Sequence, residues 1–318
     1  MRGRRGTAVA SALLALLAAA GCGLGPGADV GDVRLTVTRE FGAAPMLESS
    51  VAAKESDTVM RVLEREAEIE TRYGGGFVHA IEGFAEEQRD GDPYDWFFFV
   101  DGSESPIGAA EVPVQGGERV WWDYRDWAAV YHVPAVVGSW PAPFVDGIGG
   151  KRYPVAVECR EAGAACGVAW AALEREGVKI AADAPKDAIR VLVGPWQRLR
   201  NDPAAKLIEA GPGESGVFAD FQVGVRPFRG IDHERTNAAA YGLVALDEQG
   251  DAAVNLGPGA GLVAATSRYG GPPVWVVTGG TEEAVGTAAA ALGAEQLRDH
   301  YAVAIEDGEV VPLPLGER

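Results

Sequence analysis

Between positions 94 and 127 the chain reads YDWFFFVDGSESPIGAAEVPVQGGERVWWDYRDW. Trp121, Asp123, Arg125 and Trp127 stand two apart, so on a strand they share one face, while Val120, Trp122 and Tyr124 share the other. Aromatic rings interleaved with an acid and a guanidinium can stack on a flat molecule and hydrogen-bond its polar edge. Together with Trp96, Phe98 and Tyr131, the four residues Trp121, Asp123, Arg125 and Trp127 make the candidate ligand-binding set. The competing reading gives that face to a neighbouring domain or a partner. Both faces cannot be buried in one small domain without stranding Asp123 and Arg125, so one is expected at a surface or a domain interface.

Little else has the spacing of a reactive site. His79, His132, His233 and His300 show no metal-ligand spacing, and no Gly-x-Ser-x-Gly elbow occurs. Gly279-Gly280-Thr281 lies between an apolar strand and a helix, yet Glu282 and Glu283 would repel an anion there, so it reads as a turn and cap. The runs GPGESG and LGPGAGL lack a P-loop lysine and read as loops. No metal, required cofactor or catalytic residue is expected.

The aromatic residues need strands to hold them. Trp96–Val100 stops at Asp101-Gly102, and Val120–Tyr124 is entered through Gly116-Gly117. Upstream, Val33, Leu35 and Val37 alternate with Arg34, Thr36 and Thr38, predicting a first strand with one buried face. A second short segment ends at Lys54-Glu55-Ser56-Asp57. Ser56 or Asp57 then caps a helix over TVMRVLEREAEIET, with Val59, Val62 and Leu63 on its inner face. Tyr73–Gly76 breaks that helix, and Phe77–Ile81 and Gly83-Phe84 return to extended chain before the loop EEQRDGDP. Strand, strand, helix, strand, strand, loop, strand is a β-grasp-like order, in which the helix covers one sheet face.

Thr58-Val59, Gly76 with Ile81-Glu82-Gly83, Trp96 with Val100-Asp101-Gly102, and Gly117-Glu118 with Val120 and Trp122 occur in this order. The stretch 33–137 thereby resembles the transcobalamin-like C-terminal domain family. In transcobalamin and intrinsic factor the related β-domain packs on one face of cobalamin. The resemblance therefore implies a β-grasp fold and makes cobalamin, or another cofactor-sized molecule, the ligand to test.

Residues 138–153, rich in Pro and Gly, read as a linker. Residues 154–318 resemble no characterised family, which keeps an envelope hydrolase as an alternative. Strands are expected at Pro154–Glu158, Ala188–Val193, Val217–Val225, Gly242–Leu246, Ala253–Leu256 and Val274–Thr278. Helices are expected at Ala164–Glu176, Ala204–Ala210 and Thr281–Leu292, and Tyr301–Ile305 with Val310-Val311 makes a closing hairpin. The overall expectation is an α+β chain: a β-grasp-like domain, then an α/β domain of two strand-helix-strand units.

The N-terminus directs the chain outward. Arg2, Arg4 and Arg5 precede the apolar run Ala8–Ala20, a secretory signal over 1–21. Ala19-Ala20-Gly21-Cys22 resembles a bacterial lipobox, so Cys22 is the candidate lipidation site, followed by a tether over 22–32. An ordinary Ala-x-Ala cleavage site and a released protein is the alternative. With Cys22 acylated, Cys159 and Cys166 are left as a pair, which an oxidising compartment permits. Removing the signal takes away three arginines and no acid, so the net charge falls from −18 to −21. Such a surface repels nucleic acid. The expectation is a lipoprotein on the outer face of the cytoplasmic membrane. It binds a cofactor-sized ligand, cobalamin being the candidate, and delivers it to a vitamin-uptake transporter. The alternative is a cell-envelope scaffold or adhesion lipoprotein whose aromatic face docks a protein or polysaccharide.

Overall fold

A computed structural model describes residues 27–89, 91–224, 241–268 and 271–316. The signal, Cys22 and His233 lie outside the described residues. The chain is α+β, dominated by strands.

Strands β1 (Asp29–Arg39) and β2 (Ala44–Lys54) form an antiparallel pair. In the turn between them Glu40, Phe41 and Gly42 all have positive φ, a region that suits glycine and strains an aromatic residue. The turn places the Phe41 ring in the protein interior. Helix α1 (Val59–Glu66) follows, with Val59, Met60, Val62 and Leu63 buried. Its cap is Thr58, whose hydroxyl accepts from Arg61 N, rather than Ser56 or Asp57. The Asp57 carboxylate instead accepts from Lys54 N and Arg65 Nη1, each at 2.8 Å.

The helix stops at Ala67 instead of running to Thr71. Residues Ile69 and Thr71 are β-branched, and they pair as strand β3 (Ile69–Arg72) with β4 (Phe77–Ile81). The short β5 (Phe84–Ala85) completes this small sheet. Part of the expected acidic loop is also extended, since β6 (Glu87–Arg89) pairs with β7 (Asp92–Val100). After β8 (Ser103–Glu104), the strand β9 (Arg119–Asp126) enters between β1 and β7, parallel to the first and antiparallel to the second. The order β2-β1-β9-β7-β6 with one helix on one face is the β-grasp-like arrangement expected. Val33, Leu35, Val37, Trp96, Phe98, Trp122 and Tyr124 pack beneath α1.

Residues 138–153 do not form an open connector. They contain the short α2 (Ala142–Val145), and Trp140 and Phe144 are buried with ring centroids 5.6 and 5.0 Å from that of Trp275. Beyond them β10 (Val155–Cys159), α3 (Ala164–Arg175) and β11 (Ile189–Pro195) form the first strand-helix-strand unit. The Cys159 and Cys166 sulfurs lie at bonding distance and tie β10 to α3. Three short helices follow, α4 (Trp196–Leu199), α5 (Pro203–Glu209) and α6 (Pro212–Ser215), the last within the run read as a loop. Next is a separate antiparallel sheet of β12 (Ala219–Val223), β13 (Tyr241–Leu246) and β14 (Ala252–Gly257).

Strand β15 (Gly261–Thr266), also unexpected, then pairs with β16 (Val274–Gly279). Helix α7 (Glu282–Ala290), capped by the Thr281 hydroxyl as expected, and α8 (Ala294–Leu297) lead to β17 (Ala302–Glu306) and β18 (Glu309–Leu313). The second sheet is ordered β10-β11-β16-β15-β17-β18. β16-α7-β17 is thus a second unit whose helix crosses over β15, and α3 and α7 cover one sheet face.

Candidate functional site

The face of β9 with the charged residues is closed off. Trp121, Asp123 and Arg125 are fully buried, against the segment Asp299-His300-Tyr301 and the second half of the chain. The Tyr301 ring stands edge-on to Phe41, Phe99 and Trp121, with centroids 5.1, 5.5 and 5.4 Å away. Its hydroxyl donates to Asp123 Oδ2 at 2.9 Å, while Oδ1 accepts from the Thr38 hydroxyl and from Gly42 N. Burial pushes the Asp123 carboxyl up to about 6, against the pull of those three donors. Arg119 forms a short ion pair with Asp299, and Glu48 pairs with Arg298 at 3.5 Å. Gly138 lets the chain meet His300, where a Cβ would stand 2.8 Å from the backbone nitrogen. Thr36 and Thr38 are buried as well, so β1 has two buried faces, not one.

This revises five of the seven expected ligand residues. Trp96 and Phe98 belong to the core under α1, the Trp96 indole donating to Phe84 O and Phe98 stacking on Trp122 at 4.7 Å. Trp121 and Asp123 join the two halves of the chain. The Arg125 guanidinium lies over Phe97 at 3.8 Å and donates to Val130 O (2.7 Å), Asp126 O and Tyr131 O (3.2 Å). It fixes the loop after β9 and is enclosed away from any ligand. None of these five reaches open surface: α1 covers Trp96 and Phe98, and the second half of the chain supplies the cover for Trp121, Asp123 and Arg125 that a single small domain could not.

Trp127 and Tyr131 are different. Arg125 holds the loop that carries them, Trp127 N donates to Pro93 O, and Asp126 caps the turn through Ala128 N. Tyr131 is 70 % exposed, Trp127 is half-buried, and their rings meet edge to face at 5.6 Å. Beside Trp127 lies an open cleft of about 470 Å³ walled by Arg72, Glu86, Glu87, Gln88 and Pro93. The Trp127 indole N–H is sheltered yet has no hydrogen-bond partner among the described residues. Arg72 bridges Glu86 at 3.2 Å and the His79 ring at 2.8 Å. Nearby, burial lifts the Asp95 carboxyl to about 6. The cleft thus offers one aromatic edge and a wall with both charge signs. Among the described residues no three His, Cys, Asp or Glu side chains come together as a metal site. Only the loop after β9 could have revealed this cleft in the sequence, through two aromatics four apart at the end of an aromatic strand.

No helix among the described residues is long and apolar enough to cross a membrane. No curated protein matches the chain. The resemblance read over 33–137 is matched in part: residues 56–126, from the approach to α1 through the last residue of β9, match the model of a domain of unknown function, DUF4430, a transcobalamin-like domain family.

Proposed function

We propose that the chain is a non-catalytic, extracytoplasmic binding protein whose cleft beside Trp127 takes one edge of a flat, cofactor-sized ligand. The observation that carries this reading is the half-buried Trp127 ring, on a loop braced by a buried arginine and backed by the exposed Tyr131, lining a cleft within the ~300–1,000 Å³ range of small-molecule sites. An aromatic ring at the edge of a cleft walled by Arg72, Glu86, Glu87 and Gln88 suits a π-face with a polar edge. Cobalamin is the first candidate, on the strength of the transcobalamin-like domain, and the open cleft suits contact with one edge of so large a molecule. Acylation of Cys22 would tether the protein outside the membrane, next to a transporter that receives the ligand. Titrating the mature protein with cobalamin, read by tryptophan quenching and the corrin spectrum, tests this. Binding lost in Trp127→Ala supports it.

A separate observation favours the envelope-scaffold reading. At the β3–β4 turn Tyr73 is 87 % exposed and packs edge to face on Phe77 at 6.1 Å, with Ile107 half exposed as well. Such an apolar patch suits a macromolecular partner. Under this reading the chain without Cys22 still cosediments with isolated cell envelopes; Tyr73→Ser with Phe77→Ser abolishes that cosedimentation, while Trp127→Ala leaves it intact.

A further inference from the structure

A second hollow, sharing no residue with the Trp127 cleft, lies where α5 crosses the start of β11, the end of β15 with Ser267-Arg268, and Gly271-Pro272 with the start of β16. It is a half-open hollow of about 180 Å³ with an apolar floor of Ala188, Ala204, Leu207 and Val274. Three cations line it: Lys186, Arg190 and Arg268. Arg190 is neutralised, its Nε and Nη2 held by Glu158 at 2.6 and 3.0 Å and its Nη2 also by Asp202 at 2.6 Å. Lys186 and Arg268 are exposed and make no ion pair with any described residue. In a chain of net charge −18, two uncompensated cations over an apolar hollow oppose the average field of the surface.

We propose that this hollow binds a small amphipathic monoanion, a compact apolar body bearing one carboxylate. An apolar cavity of about 150 Å³ accepts a benzene ring, so this one suits a single ring or a short aliphatic chain. The acids fix the orientation. Glu158 and Asp202 stand behind Arg190 and repel a carboxylate pushed inward, so the apolar body enters and the carboxylate stays between Lys186 and Arg268. The apolar floor removes it from water, and the two cations select the anion over a neutral molecule of the same shape.

Benzoate is the probe. Amide shifts of the mature protein are followed in NMR titrations with benzoate, with its neutral isostere benzamide, and with inorganic phosphate, and repeated on Lys186→Met/Arg268→Met. Both replaced side chains are exposed, and an unchanged melting temperature verifies the fold. The expected result is saturable shifts at Ala204, Leu207 and Val274 by about 10 mM benzoate. Benzamide should bind about tenfold more weakly, and the double variant should lose about tenfold in benzoate affinity with benzamide unaffected. Equal binding of benzoate and benzamide, phosphate shifts at the same amides matching those of benzoate, no saturation, or an unaffected double variant each overturns the proposal.

Discussion

Tyr301→Phe removes one oxygen and leaves a ring of nearly the same shape between Phe41, Phe99 and Trp121. What is lost is the only donor to Asp123 Oδ2 among the described residues, at 2.9 Å, in a fully buried site. Thr38 and Gly42 still serve Oδ1. Leaving a buried carboxylate oxygen unpartnered costs about 1–3 kcal/mol, which for a chain of this size lowers the melting temperature by roughly 2–5 °C. The cost should depend on pH. Asp123 sits at about 6 in the folded protein, above its ordinary value of 3.8, so near pH 5 it is mostly protonated and the missing donor matters less. Near pH 7.5 it is charged and the loss is felt fully. Chemical denaturation of wild type and variant at both pH values is the assay. A variant as stable as wild type at pH 7.5, or a loss larger at pH 5, would refute the idea that Tyr301 clamps a buried carboxylate between the two halves.

Gly42→Ala should be more damaging, because its Cβ would fall 1.8 Å from the Asp299 carbonyl oxygen at φ +88°; equilibrium denaturation should show a loss of at least ~3 kcal/mol. Burial holds the Asp101 carboxyl at about 8, only partly opposed by the donor Arg119 N. The folded state therefore binds a proton that the unfolded state releases, and Asp101 weakens the fold by up to ~1.4 kcal/mol per pH unit as pH rises from about 4 to 8. Asp101→Asn should flatten the upper part of that decline, seen as a higher melting temperature than wild type at pH 8.5. Replacing Cys159 and Cys166 by serine opens a loop whose ends are seven residues apart and should cost about 2 kcal/mol in non-reducing denaturation.

Much of the first sheet was legible because its strands obey simple rules. Val33, Leu35 and Val37 alternate, Thr-Val opens a helix, and Asp101-Gly102 ends a strand, and these local signals survive in the fold. The end of α1 was hidden, since Glu68–Thr71 carries both helix-forming acids and β-branched residues, and pairing with β4 decides it. Strand β15 was missed for a different reason. Leu262 and Ala264 face one core and Val263 and Ala265 the other. A strand buried on both sides has no alternation to read, and its Gly-Pro surroundings resemble a loop.

The site shows the same limit. Alternation placed Trp121, Asp123 and Arg125 on one face correctly, but no local signal told whether that face met a ligand or a neighbour. Tyr301, some 180 residues away, settles it by filling the face. Arg125 illustrates the consequence: its type suits an anionic ligand, but its partners are three carbonyls of the loop that carries Trp127 and Tyr131.

The most direct test compares cobalamin titrations of the mature wild-type protein, Trp127→Ala and Tyr301→Phe, followed by tryptophan fluorescence. Saturable binding of wild type at micromolar concentrations or tighter, lost in Trp127→Ala and kept in Tyr301→Phe, is the predicted result. Absence of binding by the wild type at tens of micromolar, or full affinity in Trp127→Ala, would contradict a cofactor site in the cleft beside Trp127.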